Sequence, residues 1–122
     1  MIVKPNHDFI RDRRYYHIEE KPKDFPTLEE LERTEWCSDF EQKCRNRMIM
    51  GALRYGRLRA KGKPQYDRIA SARKRLDIYE ATGNDEHLVD VANLCRLEYV
   101  EGTHPLKHFS SVDDGEHTEV KA

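Results

Sequence analysis

The sequence predicts an all-α fold, and three observations carry that expectation. Apolar residues recur at close to 3.6-residue spacing in three long segments. Six Gly and five Pro in 122 residues are too few for an all-β chain turning every 8–12 residues. Charged and hydrophobic residues each make up 37% of the chain, and the mean hydropathy is −0.96, which fits a small core beneath helices with long solvated faces. The length fits one domain. No apolar run approaches the roughly 18–20 residues that span a bilayer. The first twenty residues carry charges where a signal peptide is apolar. The three cysteines, Cys37, Cys44 and Cys95, form no CxxC pair. Reduced thiols, a cytoplasmic location and no membrane partner are therefore expected, and a disulfide scaffold is excluded.

Residues 1–26 have no sustained period and are broken by Pro5, Pro22 and Pro26. Residues 1–27 thus read as an N-terminal arm, whose Phe9, Tyr15 and Tyr16 argue that it packs onto something. Thr27-Leu28-Glu29-Glu30 matches the capping box that opens a helix. From there one helix is expected to run to about residue 60. Trp36, Cys37, Phe40, Cys44, Met48, Gly51, Tyr55 and Leu58 form its core-facing stripe, and Lys61-Gly62-Lys63-Pro64 stops it. A second helix is expected from about Gln65 to Ala81. Tyr66, Ile69, Ala70, Leu76 and Tyr79 lie on its inner side, with a basic outer face of Arg68, Arg73, Lys74 and Arg75. Thr82-Gly83-Asn84 is a short link between antiparallel helices. The third helix, about Asp85 to Glu101, is apolar nearly all round and reads as the central one, and Gly102 ends it. Residues 28–109 form the helical domain on this reading, and the acidic segment 110–122 is a flexible solvated tail. Oligomerisation would complete the bundle by covering the surplus apolar surface of the third helix.

The net charge of −1 conceals three zones. Residues 1–42 carry −4, residues 43–75 carry +11 and residues 76–122 carry −8. A block at +11 attracts polyanions or phosphates wherever folding leaves it uncovered, and acidic flanks can instead neutralise it inside the fold or across a dimer.

Two polar rows stand out against the apolar stripes. On the third helix Glu86, Asp90 and Asn93 share a narrow strip of an otherwise apolar element. Two carboxylates and an amide oxygen are hard ligands suited to Mg²⁺ or Mn²⁺. Glu35, Asp39, Gln42 and Asn46 form a second row, opposite the core stripe of the first helix. A helix dipole explains Glu86 equally well, and a solvated face explains Glu35 and Asp39. No P-loop, G-x-S-x-G or G-x-G-x-x-G is present, so hydrolase triads and glycine-loop nucleotide folds are unsupported. An acidic cluster beside Lys and Arg is the combination a triphosphate requires.

Met50-Gly51-Ala52-Leu53-Arg54-Tyr55-Gly56, Ser71-Ala72-Arg73-Lys74-Arg75-Leu76 and Gly83-Asn84-Asp85-Glu86-His87-Leu88-Val89-Asp90-Val91-Ala92-Asn93 follow one another in an order and spacing of their own. Over roughly residues 35–100 the chain resembles a phage-associated branch of the MazG-like all-α nucleoside triphosphate pyrophosphohydrolases. That superfamily consists of helical bundles, usually dimers or tetramers, which use Mg²⁺ held by helix-borne acids to cut a triphosphate to monophosphate and pyrophosphate. Its usual signature pairs an E-x-x-E helix with an E-x-x-D helix. Here His87-Leu88-Val89-Asp90 stands at the second, with Glu86 one position early, and Glu35 and Asp39 are four apart at the first.

The resemblance implies a homo-oligomeric enzyme acting on a nucleoside triphosphate. On that reading Asp39, Glu86 and Asp90 hold Mg²⁺ or Mn²⁺, Glu35 orients the attacking water, and Arg54, Lys61, Lys63 and Arg73 contact phosphates. The alternative is a non-enzymatic binding protein that uses its basic block on a nucleic-acid backbone, or a phage-type adaptor that disables a host protein.

Overall fold

The Thr27 hydroxyl accepts a hydrogen bond from the Glu30 backbone N–H at 3.1 Å, the cap that the sequence encodes. The helix it opens, α1 (Leu28–Thr34), is only seven residues long. The computed structural model describes residues 25–112 and 119–121. Most of the expected arm, residues 1–24, and residues 113–118 and 122 of the expected tail lie outside the described residues. One compact unit spans Cys37–Lys107, and α1 belongs to a second.

Within the Cys37–Lys107 unit the chain is helical: α2 (Ser38–Tyr55), α3 (Arg68–Thr82) and α4 (Glu86–Glu101). The described residues form no strand, and the chain is all-α. None of their helices is long and apolar enough to cross a membrane. The single long helix expected from 28 to 60 is broken twice. Glu35 leaves helical geometry at φ −91°, ψ 49° and caps α1. Cys37, in extended conformation, then caps α2 through Sγ, which accepts from the Phe40 N–H at 3.4 Å. At the far end the stop is Gly56, with φ 101°, several residues before the expected Gly62–Pro64 turn. Asp67 Oδ1 caps α3 by accepting from the Ala70 N–H at 3.0 Å, and Gly83, at φ 71°, ends it in the left-handed conformation.

The third helix is central, as its apolar girth implies: α4 packs against both α2 and α3. The core at the crossing is small. Among described apolar side chains only Cys44 and Val89 are buried, together with Asn93. Asn93 Nδ2 donates to the Cys44 backbone carbonyl at 2.9 Å and ties α2 to α4. Burial raises the Cys44 thiol pKa, so it behaves as a small apolar side chain. Of the stripe read on the first helix, Cys44 is buried and Met48 and Gly51 are partly buried, whereas Trp36, Cys37, Phe40, Tyr55 and Leu58 are exposed. The face of α3 is rotated from expectation. Of the expected inner side Tyr79 is partly buried, but Tyr66, Ile69, Ala70 and Leu76 are exposed, and Arg68, Ala72 and Ile78 are partly buried instead. The reason is electrostatic: Arg68 lays its stem inward and pairs with Glu98 and Glu101, so an arginine occupies a position that hydropathy reserves for an apolar residue.

The connection 56–67 has no regular structure but is firmly held. Its tie is Glu101, the last residue of α4. Glu101 Oε2 accepts from Lys63 Nζ at 2.9 Å and from the Arg59 backbone N–H at 2.6 Å, and Oε1 accepts from Arg68 Nη2 at 2.9 Å. These contacts retain Arg59 at φ 61°, a left-handed conformation rare outside glycine and asparagine. Lys63 above all, then the Arg59 N–H, holds the Glu101 carboxyl below its ordinary value of 4.5.

Because the folded-state pKa of Glu101 is lowered, its contribution is complete above about pH 4.5 and is lost as pH falls through the lowered value. Glu101→Gln should cost about 1–3 kcal/mol at neutral pH and flatten the acid limb of stability against pH. Urea unfolding from neutral to acid pH checks this. A variant with the wild-type acid limb would show that the tie is not formed.

Candidate functional site

A cavity of about 380 Å³ opens between α2 and α3 over one face of α4. Asp90, Asn93, Leu94, Leu97 and Glu101 line it from α4, at the i, i+3, i+4, i+7, i+11 spacing of a single helical face. Arg47, Gly51 and Arg54 line it from α2, and Arg68, Ser71 and Arg75 from α3. The α3 wall thus reads cation, small residue, cation, while the α2 wall adds Met48, Met50, Ala52 and Tyr55 to its two arginines and glycine. Leu58, Lys63 and Tyr66 contribute from the connection. Asp90 and Glu101 stand eleven residues apart, ~16 Å at 1.5 Å per residue, so the site is an elongated groove with carboxylates at either end of an apolar floor.

The two ends differ in tightness. At the Glu101 end Lys63, Arg68 and Glu101 are 10–15% exposed, and the short bonds described above make a closed cluster. At the Asp90 end the contacts are long. Asp90 lies 3.5 Å from Arg47 Nε and 3.4 Å from Arg75 Nη1, while Arg47 also pairs with Glu86 through Nη2. Arg47 and Arg75 remain 34% and 44% exposed. Arg54 lines the groove with no ion pair among the described residues. An incoming phosphate has most to gain at this end, because bidentate guanidinium–phosphate bonds replace the two stretched contacts of Asp90 while the Arg47–Glu86 pair is close.

The centre is open by construction. Gly51 lies in the interior of α2, where glycine costs about 0.5–1 kcal/mol relative to alanine. A Cβ built there meets no atom within 4 Å, so helix–helix packing does not require the glycine. Nearby Asn93 is 7% exposed, and its Oδ1 has no hydrogen-bond partner among the described residues. Tyr55 and Tyr66 meet edge to face at 6.1 Å and are both partly exposed.

The residues singled out in the sequence distribute unevenly. Asp90, Arg54 and Lys63 line the groove, and Glu86 adjoins it through Arg47. Lys61 and Arg73 are exposed and do not line it. Asp39 is exposed on α2 and paired with Lys43 at 2.6 Å, and Gln42 donates to Asn46 of its own row at 2.9 Å. Glu35 caps α1 in the other unit. Among the described residues no three His, Cys, Asp or Glu side chains gather as a group able to hold a metal. The acid set Asp39, Glu86 and Asp90 does not fit a resident Mg²⁺ in this arrangement, since each carboxylate faces a cationic side chain instead.

Sequence reasoning missed Arg47, Gly51, Arg68, Ser71, Arg75 and Glu101 as groove residues. The spacing of Arg68, Ser71 and Arg75 held a usable signal, since i, i+3 and i+7 share one helix face. Glu101 gave none, because its donors come from distant points in the chain.

Gly51→Ala should raise stability by about 0.5–1 kcal/mol while adding a methyl to the groove, and a thermal melt checks it. A loss of stability would mean that the position is more crowded than described. Comparisons with family models, with characterised proteins and with solved structures find no match to this chain.

Proposed function

We propose that the groove binds a nucleoside phosphate. One observation carries the reading: Arg47, Arg54 and Arg75 bring three incompletely satisfied guanidinium groups to a cavity of ligand size whose middle is apolar and lined by small residues. Its volume of about 380 Å³ lies within the range of small-molecule pockets. Phosphates would engage the Asp90 end, displacing that carboxylate from Arg47 and Arg75. The sugar and base would lie over Leu94 and Leu97, in the space that Gly51 and Ser71 leave open. The MazG-like resemblance supports the same ligand class. Hydrolysis is not part of the reading that the groove supports best, because among the described residues no three acids gather there to hold the metal that it would use.

Self-association belongs to this proposal. Ile49 and Leu53, one turn apart on the outer face of α2, are 62% and 84% exposed, and a second copy would cover them.

The test is titration with a panel of ribo- and deoxyribonucleoside triphosphates, followed by heat, with light scattering to count subunits. Arg47→Ala and Arg75→Ala should each weaken binding about tenfold or more, the usual effect of losing a charge-assisted hydrogen bond. No binding of any nucleotide by the wild-type chain overturns the reading. Pyrophosphate release with Mg²⁺ or Mn²⁺, run beside Asp90→Ala, decides whether chemistry accompanies binding. Turnover lost in the variant would restore the pyrophosphohydrolase reading.

A further inference from the structure

The cations of the central block fall into two groups of six. Lys43, Arg45, Arg47, Lys63, Arg68 and Arg75 each have a carboxylate partner. Arg54, Arg57, Arg59, Lys61, Arg73 and Lys74 have none among the described residues. Folding thus neutralises half of the block and leaves the rest unpaired. Four of those unpaired cations fall within residues 54–61, a stretch with no acid.

The connection that holds them has two faces. Gly56, Leu58, Lys63 and Tyr66 line the groove, whereas Arg57, Arg59 and Lys61 do not and are exposed. The backbone between them is fixed. The Ala60 N–H and Lys63 Nζ both donate to the Arg57 carbonyl, at 3.1 and 2.9 Å, and the Arg59 N–H donates to Glu101. Gly56, Arg59 and Gly62 sit at φ 101°, 61° and 79°. A loop held this way presents its three cations without a large ordering cost on binding. Tyr55 and Tyr66 flank it and keep 59% and 43% of their surfaces open.

We infer that the outer face of the 56–67 connection binds single-stranded nucleic acid, with Arg57, Arg59 and Lys61 on the phosphates and the flanking tyrosines against bases. Three outward cations beside exposed aromatic rings match the combination of backbone neutralisation and stacking that single strands require. An anionic membrane fits less well, since Leu58, the one large apolar side chain between Arg57 and Gly62, lines the groove, and a single leucine offers little to insert. Its three cations lie outside the groove, whereas Tyr55 and Tyr66 stand at the border and also line it.

The test is fluorescence anisotropy of a labelled oligothymidylate of about 20 nucleotides with the full chain, over about 50–200 mM salt. The comparison is a triple variant, Arg57→Gln, Arg59→Asn and Lys61→Gln, in which asparagine suits the left-handed position. Wild type should bind, the variant should lose about tenfold or more in affinity, and the salt slope should shallow by about 2, at ~0.7 per phosphate contact. Its melting temperature should not change, because the three side chains are exposed. Tyr66→Ala should weaken binding about fivefold or more, for one lost stacked base, at an unchanged slope. Absence of binding at low salt, a triple variant that binds like wild type, or equal wild-type association with phosphatidylserine vesicles each overturns the inference.

Discussion

Glu101 accepts hydrogen bonds from three donors that arrive from two directions, and much of the Cys37–Lys107 unit follows from that convergence. Arg68 brings in the start of α3, while Lys63 and the Arg59 N–H bring in the connection. One carboxylate therefore fixes the antiparallel seat of α3 on α4 and the shape of the chain between α2 and α3. Breaking a pair of this kind leaves a partly buried charge without compensation, which is why removing one member costs more than the pair contributes over an apolar replacement.

The same chemistry shapes the groove. At one end the acid is saturated by short, shielded bonds, and at the other it is stretched between two half-exposed arginines. Identical residue types thus serve as scaffold at Glu101 and as exchangeable contacts at Asp90. The difference lies in distance and exposure and not in composition. Net charge alone does not separate the two, since the acidic zone after residue 75 supplies Glu86, Asp90, Glu98 and Glu101 to the basic zone before it. The fold and the basic patch are two outcomes of one charge pattern, divided by which cations find an acid on α4 or on their own helix.

Helix content and the central place of α4 were legible in the sequence because they depend on local signals. Thr27 and Gly83 mark helix ends, and the apolar girth of 86–101 marks a buried element. The break at Glu35–Cys37 was not legible, because nothing in apolar periodicity registers a thiol acting as a helix cap. The rotation of α3 was hidden for a related reason. Hydropathy scores Arg68 by its guanidinium and ignores the methylene stem that packs inward. Asp90 was found at the groove because it interrupts an apolar face. Asp39 and Glu35 showed the same kind of polar row, but the break at Glu35–Cys37 divides that row, and Asp39 is left exposed and paired within α2. The groove cations on α2 and α3 were the hardest to find, since a block of twelve basic residues gives no local sign of which ones turn inward.

The hydrogen bond from Asn93 to the Cys44 carbonyl bears on uniqueness more than on strength. The α2–α4 crossing buries so little apolar surface that neighbouring seats, one turn up or down, would retain much of the same hydrophobic gain. Sliding by a turn would leave the Asn93 amide buried opposite a carbonyl it cannot reach, at about 1–3 kcal/mol for the stranded group. A single polar contact at the centre of a thin interface thus converts a loose contact between helices into one discrete register.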